Sequence, residues 1–206
     1  MRQPVRARRN AGTRERLVEA GLRIFSARGF DGATTREIAR EAGVALAALP
    51  YHFETKEALW RAVADHLFGR LREQFEARVR GLEGADLRTR LRLLLREFVL
   101  FASRHPELHR FMLQEGTDRG PRLAWLVERH VRPIYGLMSG ILAEGQARGL
   151  LVKGSVDHLT YCLIAAASMP YAVAPEYRLV TGDDPEEPRL VEAHVRLLLR
   201  LFEIDA

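Results

Sequence analysis

Apolar residues recur at three- and four-residue spacing along almost the whole chain, and no alternating run bounded by turn residues stands out as a strand. A chain patterned this way covers its apolar side only by packing helix on helix, so the fold class is all-α. At 206 residues and 47% hydrophobic content it can bury a sizeable core without disulfides, and its single cysteine, Cys162, could form none within the chain. No run of about eighteen apolar residues occurs, and the Arg-rich start leads into a charged segment rather than an apolar signal core. These features point to a soluble cytoplasmic protein of one or two domains, with no membrane partner.

The first helix is expected over residues 13–27, with Leu17, Ala20, Gly21, Ile24 and Phe25 on one stripe and Gly29 ending it. Thr34 and Glu37 have the spacing of a capping box, so a two-turn helix starts there, turns Ile38 and Ala39 inward and stops near Gly43. A short helical stretch covers residues 45–53. Thr55 then caps a long amphipathic segment bearing Leu59, Val63, Leu67, Leu71 and Phe75. Asp86 caps a helix with Leu87, Leu91, Leu94, Leu95 and Phe98 on its apolar side, ending before Pro106, and a shorter helix follows to about residue 114. The helix over residues 122–147 contains Pro133, where a kink or break is expected. An almost uncharged segment runs from Ser155 to Ala174. After an acidic, turn-rich stretch, the last helix carries Leu190, Val191, Val195, Leu198, Leu199 and Phe202.

The formal charge of +5 lies entirely in the first fifty residues, where ten arginines face five acids. A basic end on a balanced chain suits a polyanion, either nucleic acid or an anionic membrane surface. Residues 1–12 lack the bulky apolar face that membrane insertion requires. Residues 34–53 have the form helix, glycine turn, helix, with small Ala39 where two helices approach closely, which fits a helix-turn-helix or a plain helical hairpin.

The Gly29-Phe30 pair, Thr34-Thr35, Glu37-Ile38-Ala39, Ala42-Gly43-Val44, Tyr51-His52-Phe53 and Lys56-Glu57-Ala58-Leu59 all occur in one register. With them, residues 13–63 resemble the TetR family of bacterial transcriptional regulators. The resemblance implies a basic N-terminal arm (1–12), a three-helix DNA-binding domain (13–60) with the helix-turn-helix motif at about 34–53, and a helical-bundle domain for effector binding and dimerisation (61–206). It places Thr35, Tyr51, His52 and Lys56 where such proteins contact DNA phosphates, and each has a suitable donor or charge. Phe53 is expected to be core. Ala45, Leu46, Ala47, Ala48 and Pro50 depart from the polar or aromatic residues often found in the recognition helix. Ala45 removes the usual hydroxyl cap and Pro50 withdraws a backbone N–H, so that helix must be short or bent. Base readout then falls to Leu46, Ala47 and Pro50 against thymine methyls and to Arg36 reaching guanine. Arg6, Arg8 and Arg9 are expected in the minor groove as an arm that orders on DNA.

The same resemblance implies a homodimer on a two-fold double-stranded operator, joined through the last two long helices (156–174 and 188–203), and repression released by an unknown small-molecule effector. Candidate pocket residues are Phe98, Phe101, Phe111, Met112, Glu115, Trp125, His130, Tyr135, Met138 and Tyr161, chosen for mixed polarity on helical stripes. His105 and His109, spaced i,i+4, suggest a metal site with His130 or Glu115, or an enzyme using the same four groups. Pro106 spoils that geometry, so exposed or capping histidines are expected, with no metal and no cofactor. Neither a glycine-rich phosphate loop nor a nucleophile elbow nor a di-iron motif is present, which argues against an enzyme.

Overall fold

A computed structural model describes the backbone of residues 5–82 and 84–204, with side chains from residue 12 onward. Among these residues every regular element is helical: α1 (Val5–Gly32), α2 (Thr35–Glu41), α3 (Leu49–His52), α4 (Lys56–Arg80), α5 (Leu87–Arg104), α6 (Pro106–Glu115), α7 (Pro121–Leu126), α8 (Arg132–Ala147), α9 (Val156–Ala172), α10 (Ala174–Thr181) and α11 (Pro188–Leu201). No described helix is long and apolar enough to cross a membrane.

The chain forms two compact units that are not consecutive segments. The first takes residues to Gly69 together with Arg110–Leu123; the second takes Arg70–His109 and the residues from Ala124 on. Helices α4, α6 and α7 each contribute to both.

In the first unit, α1 starts at Val5, eight residues earlier than expected, and its helical geometry is interrupted at Gly29 (φ 68°, ψ 179°). A side chain there would be strained by the positive φ and would also meet Gln114 Oε1 at 3.1 Å. Leu17, Ala20 and Phe25 are buried as the stripe predicts, alongside Ile38, Leu49, Phe53, Leu59, Trp60, Val63 and Phe111. A Cβ on Gly21 would lie 3.0 Å from Val63 Cγ2, so glycine lets α1 approach α4 closely.

The second unit is built around α5, which packs against α8, α9 and α11. Leu91, Leu95, Phe98, Leu142, Leu163, Tyr171, Val195 and Leu198 share one buried cluster. The kink expected at Pro133 takes a specific form. Residues Val127–Val131 make a π-helical turn between α7 and α8, closed by the Arg132 N–H donating to the Val127 carbonyl, five residues back. Proline offers no N–H to the carbonyl four residues before it and crowds that carbonyl, and the widened turn relieves both without ending the helix. Near the C-terminal part of α4, Arg78 donates twice to Glu97 (2.7 and 3.0 Å) and Gln74 donates to the same carboxylate. Burial, the largest influence, raises the Glu97 pKa, but these donors together hold it below the ordinary carboxylate value.

Candidate nucleic-acid interface

The segment from α2 to α3 owes its shape to short-range signals. The Thr34 hydroxyl accepts from the Glu37 N–H at 3.2 Å while Glu37 Oε2 accepts from the Thr34 N–H at 3.3 Å, so the reciprocal cap read from the sequence is present. A further bond from the Thr34 hydroxyl, and then Arg28, hold the Glu37 carboxyl below its usual pKa. At the far end Gly43 takes φ 62°. Its N–H donates to the Arg40 carbonyl (3.1 Å) and the Val44 N–H donates to that of Ala39 (2.9 Å), the paired bonds of a Schellman turn.

The recognition element is short, as Pro50 requires. Leu46–Ala48 form a 3₁₀ turn with Leu49 N–H donating to the Leu46 carbonyl, and one α-helical turn, α3, follows with Pro50 in its first positions. Residue 50 cannot bond back to the Leu46 carbonyl, so the tighter bond from residue 49 takes that acceptor. Ala45 supplies no side-chain cap. Helix α4 then begins with the Thr55 hydroxyl accepting from the Ala58 N–H at 3.0 Å.

Burial separates two sets of residues along this segment. Ile38, Ala39, Ala42, Leu49 and Phe53 are core. Arg36, Leu46, Ala47, Pro50 and Tyr51 are exposed, Tyr51 at 84%, and Thr35, His52 and Lys56 are half-buried. Tyr51 and Leu46 (42%) are both exposed on this segment, which also carries the exposed Arg36 and the half-buried Lys56, and Arg14 on α1 brings its guanidinium to 5.0 Å from the Phe53 ring centre. Apolar groups for thymine methyls, a phenol and cations for phosphates make this surface chemically suited to duplex DNA. Sequence reading missed Arg14, because only the fold brings it to a ring 39 residues away. Arg6, Arg8 and Arg9 lie in the first turns of α1 by backbone, and their side chains fall outside the described residues.

The ten pocket candidates divide between the two units. Phe111, Met112 and Glu115 belong to the first unit; Phe98, Phe101, Trp125, His130, Tyr135, Met138 and Tyr161 belong to the second. Phe111 stacks on Trp60 at 5.4 Å, and both oxygens of Glu115 are engaged, by Trp60 Nε1 and by Arg122 Nε, each at 3.1 Å. In the second unit Phe98 and Phe101 are buried, Trp125 meets His130 edge-on at 5.5 Å, and Tyr135 lies 6.0 Å from Tyr161, which is itself 65% exposed. The histidines depart from expectation. His105 does sit at the C-cap of α5, but His109 and His130 are buried rather than exposed. They lie on helix faces that turn inward, a matter one residue's polarity does not reveal. No group of three His, Cys, Asp or Glu residues able to hold a metal ion occurs among the described residues.

Comparison with known proteins agrees with this geometry. Residues 17–63 match the model for bacterial regulatory proteins of the tetR family, and residues 88–201 match the tetracyclin repressor-like C-terminal domain. The HTH-type transcriptional repressor NicS of Pseudomonas putida is 30% identical over 166 residues, 79% of this chain and 76% of its own. The probable HTH-type transcriptional regulator YttP of Bacillus subtilis is 23% identical over 177 residues, 85% of each. Among solved structures, AibR in complex with isovaleryl coenzyme A and operator DNA superposes with a TM-score of 0.75 at 18% identity, covering 93% of this chain and 98% of that one. FadR of Bacillus subtilis in complex with stearoyl-CoA gives 0.64 at 18% identity, covering 89% and 96%.

Proposed function

Because the chain belongs to the TetR family of bacterial transcriptional regulators, and is therefore not an enzyme, we propose that it works in the cytoplasm as a homodimeric repressor released by a small-molecule effector. The observation that carries the reading is the segregation along α2–α3: the inward residues are core, while Arg36, Leu46, Ala47, Pro50 and Tyr51 stand free. Thr35, Tyr51, His52 and Lys56 bind phosphates, Arg36 with Leu46, Ala47 and Pro50 reads base edges, and Arg6, Arg8 and Arg9 follow the minor groove. The helix-turn-helix domain of residues 13–60 is completed in this reading by residues 110–123.

Dimerisation is supported by α9 and α11, which pack on each other. On α9, Leu159, Leu163, Ala167 and Tyr171 face the core, while Tyr161, Cys162, Ala165 and Met169 are exposed on an uncharged stretch; α11 exposes Leu197 and Leu201. Apolar positions left open on two adjacent helices suit an isologous four-helix contact. Leu197→Glu combined with Leu201→Glu is expected to give a monomer in sedimentation velocity while the circular dichroism stays helical. A dimer that survives both charges removes this interface.

The effector belongs in the second unit. AibR carries isovaleryl coenzyme A and operator DNA together, so the fold accommodates both ligand classes in one molecule. In this reading the buried His109 and His130 and the aromatic residues of α5 and α8 are the polar and apolar groups that would meet it. An effector acts only through its different affinity for the DNA-bound and free states.

Genome-wide selection of duplex fragments by the purified protein tests the reading. A shared palindrome is expected, and Arg36→Ala should weaken binding to it by about 1–3 kcal/mol while relaxing preference at one base pair per half-site. Unchanged affinity and unchanged preference would remove Arg36 from the base-reading set, and recovery of no common motif would remove the specific regulator.

A further inference from the structure

Residues 110–123 lie in the second half of the sequence yet are built into the helix-turn-helix unit, and one ring sits where they meet it. Phe30, immediately after the break at Gly29, stacks against Phe25 (6.0 Å) and meets Trp60 edge-on (6.4 Å). Two cations lie against its ring: Lys56 Nζ at 4.4 Å and the Arg122 guanidinium carbon at 4.0 Å. Lys56 is the point charge assigned to a phosphate. Arg122 is tied down on its other side, donating to Glu115 Oε2 at 3.1 Å and to Asp118 Oδ2 at 2.9 Å.

We propose that Arg122 is a positioning residue for DNA binding: through the Phe30 ring it sets where the Lys56 ammonium stands, so that residues 110–123 tune phosphate affinity. The chemistry supports one arrangement. Glu115 is 2% exposed, and a carboxylate at that depth needs compensating donors, which Trp60 and Arg122 supply. Neutralised by Glu115 and Asp118, Arg122 shares the electron-rich ring with Lys56 without expelling it. With Arg122 gone the ring loses a plate packed at van der Waals distance and is no longer held in place, so the Lys56 ammonium that lies against it loses a fixed platform. Gly29 and Gln114 make the same seam close, since a Cβ on Gly29 would lie 3.1 Å from Gln114 Oε1. Helix α6 begins in the second unit and ends in the first, so it offers a covalent route from the effector region to this seam.

The inference rests on the DNA-binding reading, and the test separates the two. Fluorescence anisotropy with a selected duplex fragment, and in parallel with sheared genomic duplex, is run across a salt series for the wild type, Lys56→Ala, Arg122→Met and the double variant. Lys56→Ala is expected to weaken binding roughly tenfold per protomer near 0.1 M salt and to lower the slope of log K against log salt by about one per protomer. Arg122→Met should reproduce that smaller slope, and the double variant should lose little beyond either single one. A merely structural role lowers the melting temperature and leaves the slope alone. Phe30→Leu, which keeps the Arg122 pairs and removes the ring, is the second variant and should also lower the slope. If Lys56→Ala lowers the slope but Arg122→Met and Phe30→Leu do not, or if the losses add, the positioning role is overturned and DNA binding stands. If Lys56→Ala leaves the slope unchanged, the phosphate assignment fails and the inference falls with it.

Discussion

Trp60→Ala should cost about 3–5 kcal/mol of stability, the range for removing a fully buried large aromatic. Trp60 is 0% exposed, stacks on Phe111 at 5.4 Å and donates from Nε1 to Glu115 Oε1 at 3.1 Å. Truncation opens a cavity between residues from distant parts of the sequence and takes a donor from a buried carboxylate, two penalties in one change. Trp60→Phe keeps much of the stacking but loses the donor and leaves a smaller void in place of the indole's second ring, so its cost should be about 2–3 kcal/mol. Urea unfolding followed by far-ultraviolet circular dichroism reads both. A Trp60→Ala loss below about 1 kcal/mol, outside the range for buried aromatics, would show that residues 110–123 do not brace the helix-turn-helix unit. Operator binding should fall in parallel with the folded fraction, since α2 and α3 rest on the same core.

Acidification should destabilise the second unit well above the pH at which carboxylates titrate. Burial pushes the His109 pKa down to about 4 from 6.5; the ring stands edge-on to Phe98 at 5.8 Å, and its buried Nδ1 has no hydrogen-bond partner among the described residues. Between those two values the unfolded chain binds the proton and the folded chain does not. The stability is therefore fully present above pH 6.5 and declines as the pH falls toward 4, by about 3 kcal/mol at the lower end. His194, half-buried against the Ala166 carbonyl, is shifted the same way by burial and adds to the slope. Glu97 has the opposite linkage, with a lowered carboxylate pKa whose stabilisation is lost only below about 4.5, so the interval from pH 6.5 to 5 isolates the histidines. Unfolding free energies at pH 7.5, 6 and 5 should fall for the wild type and fall much less for His109→Leu, which keeps the contact with Phe98 and removes the ionisable ring. Equal slopes for the two proteins would mean that proton uptake by His109 on unfolding does not drive the acid destabilisation.

How legible each feature was follows from how far apart its parts lie along the chain. The Thr34–Glu37 box, the glycine turn at Gly43 and the shortened element at Pro50 each depend on groups within a few residues, and the sequence specifies them directly. Periodicity likewise announced which face of each helix is apolar, and Leu17, Leu59, Val63, Leu91 and Val195 are buried accordingly. Pro133 signalled a disturbance, but a kink, a stop and a widened turn each accommodate a proline, and the chain takes the π turn over Val127–Val131.

A stripe tells that a residue is covered and leaves open what covers it. Nothing local to Glu115 distinguishes a group lining an effector cavity from one clamped between Trp60 and Arg122, 55 residues from the one and seven from the other. His109 looks the same in sequence whether it caps, faces water or is buried against Phe98. The sequence by itself thus determined most of the helices, the caps at Thr34, Thr55 and Asp86, the helix-turn-helix motif and the family to which the chain belongs, because hydrogen-bonded turns and amphipathic faces are encoded over a few residues, whereas the early start of α1 and the separate helix α10 were not foreseen. Only the tertiary structure decided that residues 110–123 belong to the same unit as the helix-turn-helix, that Lys56 and Arg122 both lie against the Phe30 ring, and that two histidines are buried, because those contacts form only after helices distant in sequence have packed.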